Sequence, residues 1–270
     1  MGKKAIVFCV IGLFVVSCAA PQSLVTSTPD VTPTVAASFT PSPVPTITAT
    51  AYLTPTPPAA LVTSGDWTLP YVALTFDMCQ DPLYPAGYDA GIVDVLQRYN
   101  VPATFFMGGD WMRTHPDETR LLGANPNFEL GNHSWSHADF TTLTAEQMGQ
   151  EIDMTEDMMF QLTGKRSHLF RFPSGFYNDT ALQIVSEHGL YAVQWDSVTG
   201  DPDPTFDAAT ILAEVQRTVQ NGSIIIMHGN GRGWHTAEAL PLVIDYLQSK
   251  GYTLVTVSQL INLEPLPAAE

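Results

Sequence analysis

Apolar residues in this chain come in short runs separated by longer amphipathic stretches, and that alternation begins only at Trp67. The runs YVALTF (71–76), ATFFMG (103–108), FELGN (128–132), LFRF (169–172), YAVQW (191–195), SIIIMH (223–228) and TLVTV (253–257) read as buried strands, short and rich in β-formers. Between them the spacing is helical. Within 86–99, Ile92, Val93, Leu96 and Tyr99 fall on one face. The stretch from Thr144 to Gly164 opens with Thr144 and Gln147, a capping box, and closes on a glycine. Further helices are expected near 179–188, 207–220 and 236–250, with Asp207 and Thr236 as caps and Gly251 as a stop. Strand–helix alternation of this length predicts a parallel sheet, open or closed into a barrel. In such folds ligands bind at the carboxyl ends of the strands.

Ahead of Trp67 the pattern differs. Residues 5–16, AIVFCVIGLFVV, follow Lys3 and Lys4 and read as a secretory signal, too short to span a bilayer. The run ends in FVVSC, which resembles the lipobox of bacterial lipoproteins. That resemblance implies a signal peptide over 1–17 and a lipid on Cys18. Residues 18–65 are dominated by Pro, Thr, Ser and Ala, with Asp30 as the only charge. They have no periodic apolar face, so this stretch reads as a disordered linker before a domain at 66–264. Its reach is ~140 Å if extended and ~35–40 Å as a coil. The expected location is outside the cell, anchored by lipid to the outer face of the membrane and reaching into the envelope.

Two further observations narrow the function. Cys9 leaves with the signal and Cys18 is lipidated, so only Cys79 remains and no internal disulfide is available. The sequence carries 27 Asp+Glu against 11 Lys+Arg, a net charge of −16. That balance argues against nucleic acid and other polyanions as partners. Nothing signals an oligomer, and a monomer is expected.

Polar residues collect where the strands end. Asp77 follows YVALTF; His133 and His137, four apart, follow FELGN; His228 closes SIIIMH. On a helical turn the H-x3-H spacing would put both imidazoles within reach of one ion. Arg171 lies among aromatics and needs a carboxylate partner. WDSVTGDPDP offers Asp196, Asp201 and Asp203. In this order TFDMC, HSWSH, RFPSG, WDSVTGD and IIIMH resemble the five motifs of the polysaccharide deacetylases, carbohydrate esterase family 4 or the NodB homology domain. The resemblance covers about residues 68–262.

It implies an α/β fold, a distorted (β/α) barrel of seven or eight strands, and metal-dependent removal of acetyl groups from a polysaccharide or oligosaccharide. Carried over by position, His133 and His137 would bind a divalent ion, with Zn²⁺ the expected one. Asp77 would be the general base, held ionised by Arg171. His228 would be the general acid, with Asp201 as its partner. Trp135 and Tyr177 would either stack on a sugar ring or pack in the core. Two positions depart from the family pattern. Met78, a poor ligand, stands where the family has its metal-binding second Asp. Pro202 stands where the family has Trp. The third ligand is therefore open between water, Asp77, Cys79 and Asp81. Peptidoglycan or a chitin-like N-acetylglucosamine polymer is the first substrate candidate. An O-acetyl esterase acting on xylan-like glycans and a silent carbohydrate-binding lipoprotein are the alternatives.

Overall fold

The structure is a computed structural model that describes residues 57–80 and 86–264. The signal peptide, Cys18, most of the linker and Asp81 lie outside the described residues. Strand β1 (Leu61–Val62) precedes residue 66, where the apolar pattern places the start of the domain. The central strand is β2 (Tyr71–Met78). It pairs in parallel with β3 (Ala103–Met107), with β8 (Ile224–His228) and, at its start, with β9 (Thr253–Leu254). Beyond β3 come β4 (Phe128–Asn132), β5 (Leu169–Phe170), β6 (Tyr191–Val193) and then β1; β7 (Ser197–Val198) pairs with β8. Among the described residues these nine strands form one sheet, paired in parallel throughout. It curls until Ser64, just past β1, bridges Ser223 at the foot of β8. This is the distorted (β/α) barrel that the strand–helix alternation and the family resemblance lead one to expect.

The helices are α1 (Ala90–Tyr99), α2 (Gly109–Thr114), α3 (Pro116–Ala124), α4 (Ala145–Thr163), α5 (Asp179–Glu187), α6 (Ala208–Thr218), α7 (Thr236–Ser249) and α8 (Val257–Leu260). α4 has the expected capping box between Thr144 and Gln147, and Gly164 ends it at φ 71°. Asp207 caps α6 through Thr210 N. Thr236 does not cap α7. It is the first helical residue, His235 holds the cap position, and the Thr236 hydroxyl is drawn to a carboxylate described below. Three helices had no counterpart in the apolar pattern. α3 starts on Pro116 and buries only Thr119, Leu122 and Gly123, too small an apolar face to stand out. α2 and α8 are six and four residues long. The two-residue strands β1 and β7 are also too short for period-two alternation to show.

Side chains of β2 alternate between two faces, as the pleat requires. Leu74, Phe76 and Met78 join the large core shared with Ile92, Leu96, Leu240, Val243 and Leu247 of α1 and α7. Ala73 belongs to a second cluster with Phe106, Leu169, Val193 and Ile224. Thr75 and Asp77 share the Ala73 face, so the strand delivers its polar residues to the barrel interior and its large apolar ones to the helices.

Candidate active site

Asp77 ends the inward row of β2 and is 4% exposed. Arg171, wholly buried where the chain leaves β5, donates from Nη1 to Asp77 Oδ1 at 2.8 Å and to Thr75 Oγ1 at 2.8 Å. Its Nη2 donates to Gln194 O at 3.2 Å, and the guanidinium lies 3.8 Å from the centre of the Phe106 ring. Burial would push the Asp77 carboxyl up. His133, Arg171 and His228 together outweigh burial and hold it below the usual carboxylate range. Arg171 is the permanent cation of the three.

His133 and His137 sit in a loop after β4, not on a helical turn as their spacing suggested. The loop reverses through two left-handed non-glycine residues, Ser134 at φ 62° and His137 at φ 59°. Such conformations cost about 1–3 kcal/mol each and persist only when neighbours impose them. Here Asn132 Oδ1 accepts from Ser134 N, Ser134 Oγ accepts from His137 N, and the Glu151 carboxylate accepts from Ser136 N and Oγ. The result brings the two imidazoles together, with ring centres 5.1 Å apart. His133 Nδ1 lies 2.9 Å from the Arg171 carbonyl, which can only accept, so the ring proton is on Nδ1. Burial lowers the His133 pKa and so favours the neutral ring, in which Nε2 presents a lone pair. Nε2 is buried without a hydrogen-bond partner and is 3.5 Å from Asp77 Oδ2. A neutral imidazole with one nitrogen fixed on a carbonyl and the other unsatisfied suits a metal ligand.

On the neighbouring strand His228, in register with Asp77, closes β8. Asp201 Oδ1 lies 3.0 Å from its Nδ1, while Oδ2 accepts from the His228 backbone N–H and from Thr236 Oγ1, both at 2.7 Å. Thr199 Oγ1 also donates to Asp201. Burial would lower the His228 pKa; Asp201 outweighs burial and leaves it above the ordinary histidine value. Gly233 closes this wall. A Cβ there would sit 2.1 Å from Thr236 Oγ1 and 2.7 Å from Asp201 Oδ2, so only glycine fits.

These walls enclose a cleft of about 250 Å³, lined by Asp77, Cys79, His137, Asp201, His228 and Arg232 among others. Ligand atoms of Cys79, His133 and His137 all lie within 4.8 Å of one another, the one such three-residue group among the described residues. Asp77 is not part of that group. A carboxylate low in pKa and an imidazole high in pKa, facing a potential metal site, can together accept and deliver protons during hydrolysis.

The sequence pattern of the polysaccharide deacetylases matches residues 65–193. The peptidoglycan-N-acetylglucosamine deacetylase of Bacillus cereus is 30% identical over 204 residues, 73% of this chain and 92% of that protein. The chain belongs to the polysaccharide deacetylase family. Peptidoglycan-N-acetylmuramic acid deacetylase PdaC of Bacillus subtilis is 35% identical over 70% of this chain and 38% of its own length. The uncharacterized protein YlxY of Bacillus subtilis is 31% identical over 63% of this chain, which spans about half of it (52%). Among solved structures, a carbohydrate esterase family 4 pseudoenzyme of Bacillus anthracis superposes with a TM-score of 0.68 at 26% identity, covering 75% of this chain and 69% of that one. A mutant of it with restored enzymatic activity superposes equally well, at 27% identity.

Of the six site residues expected from the family motifs, Asp77, His137, Asp201 and His228 line this cleft, and His133 and Arg171 lie buried against Asp77. Asp196 and Asp203 do neither. Asp196 holds the start of β8 through Ser223 Oγ and Ile224 N, and Asp203 closes a turn on Thr205. Trp135 lies over Gly109, where a Cβ would come 2.2 Å from its ring. Tyr177 stacks on Phe172 and stays exposed. Thr75, Thr199 and Asn230 bond to residues of this site and were not singled out in the sequence, and Thr236 was read only as a helix cap. The Met78 side chain lies in the helix-facing core, against Gly229. Met78→Asp is therefore expected to add no metal affinity and to cost about 3–5 kcal/mol as an unpaired buried charge. Chemical denaturation and metal titration of the variant check both halves.

Proposed function

We propose that this deacetylase-family chain hydrolyses amide-linked acetyl groups on a cell-envelope glycan, with peptidoglycan or a chitin-like N-acetylglucosamine polymer as the substrate class. One observation supports this most: a single cleft presents an ionised Asp77, an Asp201-bound His228 in register with it on the next strand, and His137 of the His133–His137 pair. The named activities of the Bacillus cereus and PdaC relatives support the choice of substrate.

A divalent ion held by His133 and His137, with Zn²⁺ the expected one, would acidify water and polarise the acetyl carbonyl. Asp77 Oδ2, the oxygen not committed to Arg171, takes a proton from the attacking water. Arg171 keeps that carboxylate charged and fixes its direction. Water oxygen bonds to the acetyl carbon, the C–N bond breaks, and acetate and a free amine result. His228 gives the amine nitrogen its proton from Nε2, because Nδ1 is held by Asp201. The signal-like N-terminus and lipobox-like Cys18 support export and lipid anchoring, with the linker giving the domain its reach. A monomer is proposed.

A silent carbohydrate-binding protein is the second reading, favoured by Met78 and Pro202 and by the likeness to a pseudoenzyme. Acetate release separates the two. Oligomers of N-acetylglucosamine and purified peptidoglycan are expected to release acetate with the full chain, and chelator is expected to stop it. Glycan binding with no acetate from any acetylated glycan would establish the binder instead. His133→Ala is expected to abolish both metal retention and turnover. Turnover further requires His228 protonated and Asp77 ionised, so kcat/KM should fall as pH rises through the raised His228 pKa. Asp201→Asn removes the group that raises it and should move that alkaline limb to lower pH, read from the pH profile beside a control melting curve.

A further inference from the structure

We infer that Cys79 is the third protein ligand of the metal, so that this chain holds its ion in a Cys–His–His shell. The inference deepens the hydrolase reading but rests on its own geometry. Cys79 is two residues beyond Asp77, so the pleat that sends Asp77 inward and Met78 outward returns position 79 to the interior. Its Sγ lies in the same 4.8 Å group as the ligand atoms of His133 and His137. The second observation is His133 Nε2 itself, fully buried and without a hydrogen-bond partner in that group. A third concerns the sulfur. Asn230, wholly buried in the loop after β8, donates its amide to the Cys79 carbonyl at 2.8 Å and to Sγ at 3.3 Å. An N–H aimed at sulfur orients it and stabilises a thiolate, as outer-shell partners do for metal ligands.

The chemistry of the shell follows. A metal-bound thiol is deprotonated. One thiolate therefore supplies the single negative charge that a carboxylate would have supplied beside two neutral imidazoles. The donor set is softer, and it favours Zn²⁺, Co²⁺ and Cd²⁺ over Mg²⁺, Ca²⁺ and Mn²⁺. Three protein ligands leave a position open, the arrangement of catalytic rather than structural zinc.

Cobalt substitution of the full chain tests this without reference to activity. One Co²⁺ per chain is expected, with a near-ultraviolet sulfur-to-cobalt charge-transfer band. Cys79→Ser should lose the band and weaken the ion by more than ~100-fold, beyond the 10–100-fold typical of outer-shell changes. Asn230→Ala should keep the band and weaken binding within that smaller range. If Cys79→Ser fails to fold, Cys79→Asp serves. It should keep His133-dependent binding, lose the band and shift preference toward Mn²⁺. A Co²⁺ complex that needs His133 but shows no band, or a band unchanged in the Cys79 variants, would overturn the inference and leave the hydrolase reading standing. A band without acetate release from any acetylated glycan would do the reverse.

Discussion

A guanidinium with no exposed surface sits at the centre of this molecule, and everything around it is arranged to keep it charged. Moving a cation and a carboxylate into the interior costs several kcal/mol per ion after relaxation, and only good geometry offsets that. Arg171 obtains it from Asp77, Thr75, the Gln194 carbonyl and the face of Phe106. Those partners come from three separate parts of the chain, β2, β3 and the end of β6, so the barrel must be assembled before the charge is satisfied. Catalytic base and structural counter-ion are thus one carboxylate. Activity at Asp77 cannot be varied independently of the fold.

The second charged pair is built to the opposite end. His228 is partly exposed where Asp77 is buried, and Asp201 raises its pKa while Arg171 helps lower that of Asp77. Two titratable groups facing one cleft and pushed apart in this way have distinct protonation states available near neutral pH. Asp201 does more than set a pKa. It accepts from the His228 backbone and from Thr236 at the first turn of α7, so the loop between β8 and α7 is fastened to the same carboxylate that orients the imidazole.

Much of this was legible in the sequence because the elements that matter are long or strongly patterned. β2, β3, β4 and β8 were visible as apolar runs, and α4 declared both of its ends through Thr144 and Gly164. Asp77, His133, His137, Arg171, Asp201 and His228 stood out because polar groups at the ends of apolar strands are costly unless used. What stayed hidden had no periodic signal. β1 and β7 are two residues each, and α3 has almost no apolar face. The histidine loop misled for a different reason. A four-residue spacing fits a helical turn, but Ser134 and His137 reach the same proximity through left-handed backbone that only the contacts of Asn132 and Glu151 impose.

Met78 and Cys79 are best understood together. Compared with the family pattern residue against residue, Met78 is a lost ligand and the metal site is incomplete. Along a pleated strand, however, neighbours face opposite sides, and a side chain's surroundings depend on parity as much as on position. β2 remains a strand through Met78, which buries that thioether against the helices and turns the next residue inward. A departure that looks like damage in a linear motif becomes, in three dimensions, an apolar residue where the core needs one and a thiol where the site needs a donor. Met78 and Cys79 meet both needs while Asp77 stays on the partner that holds it.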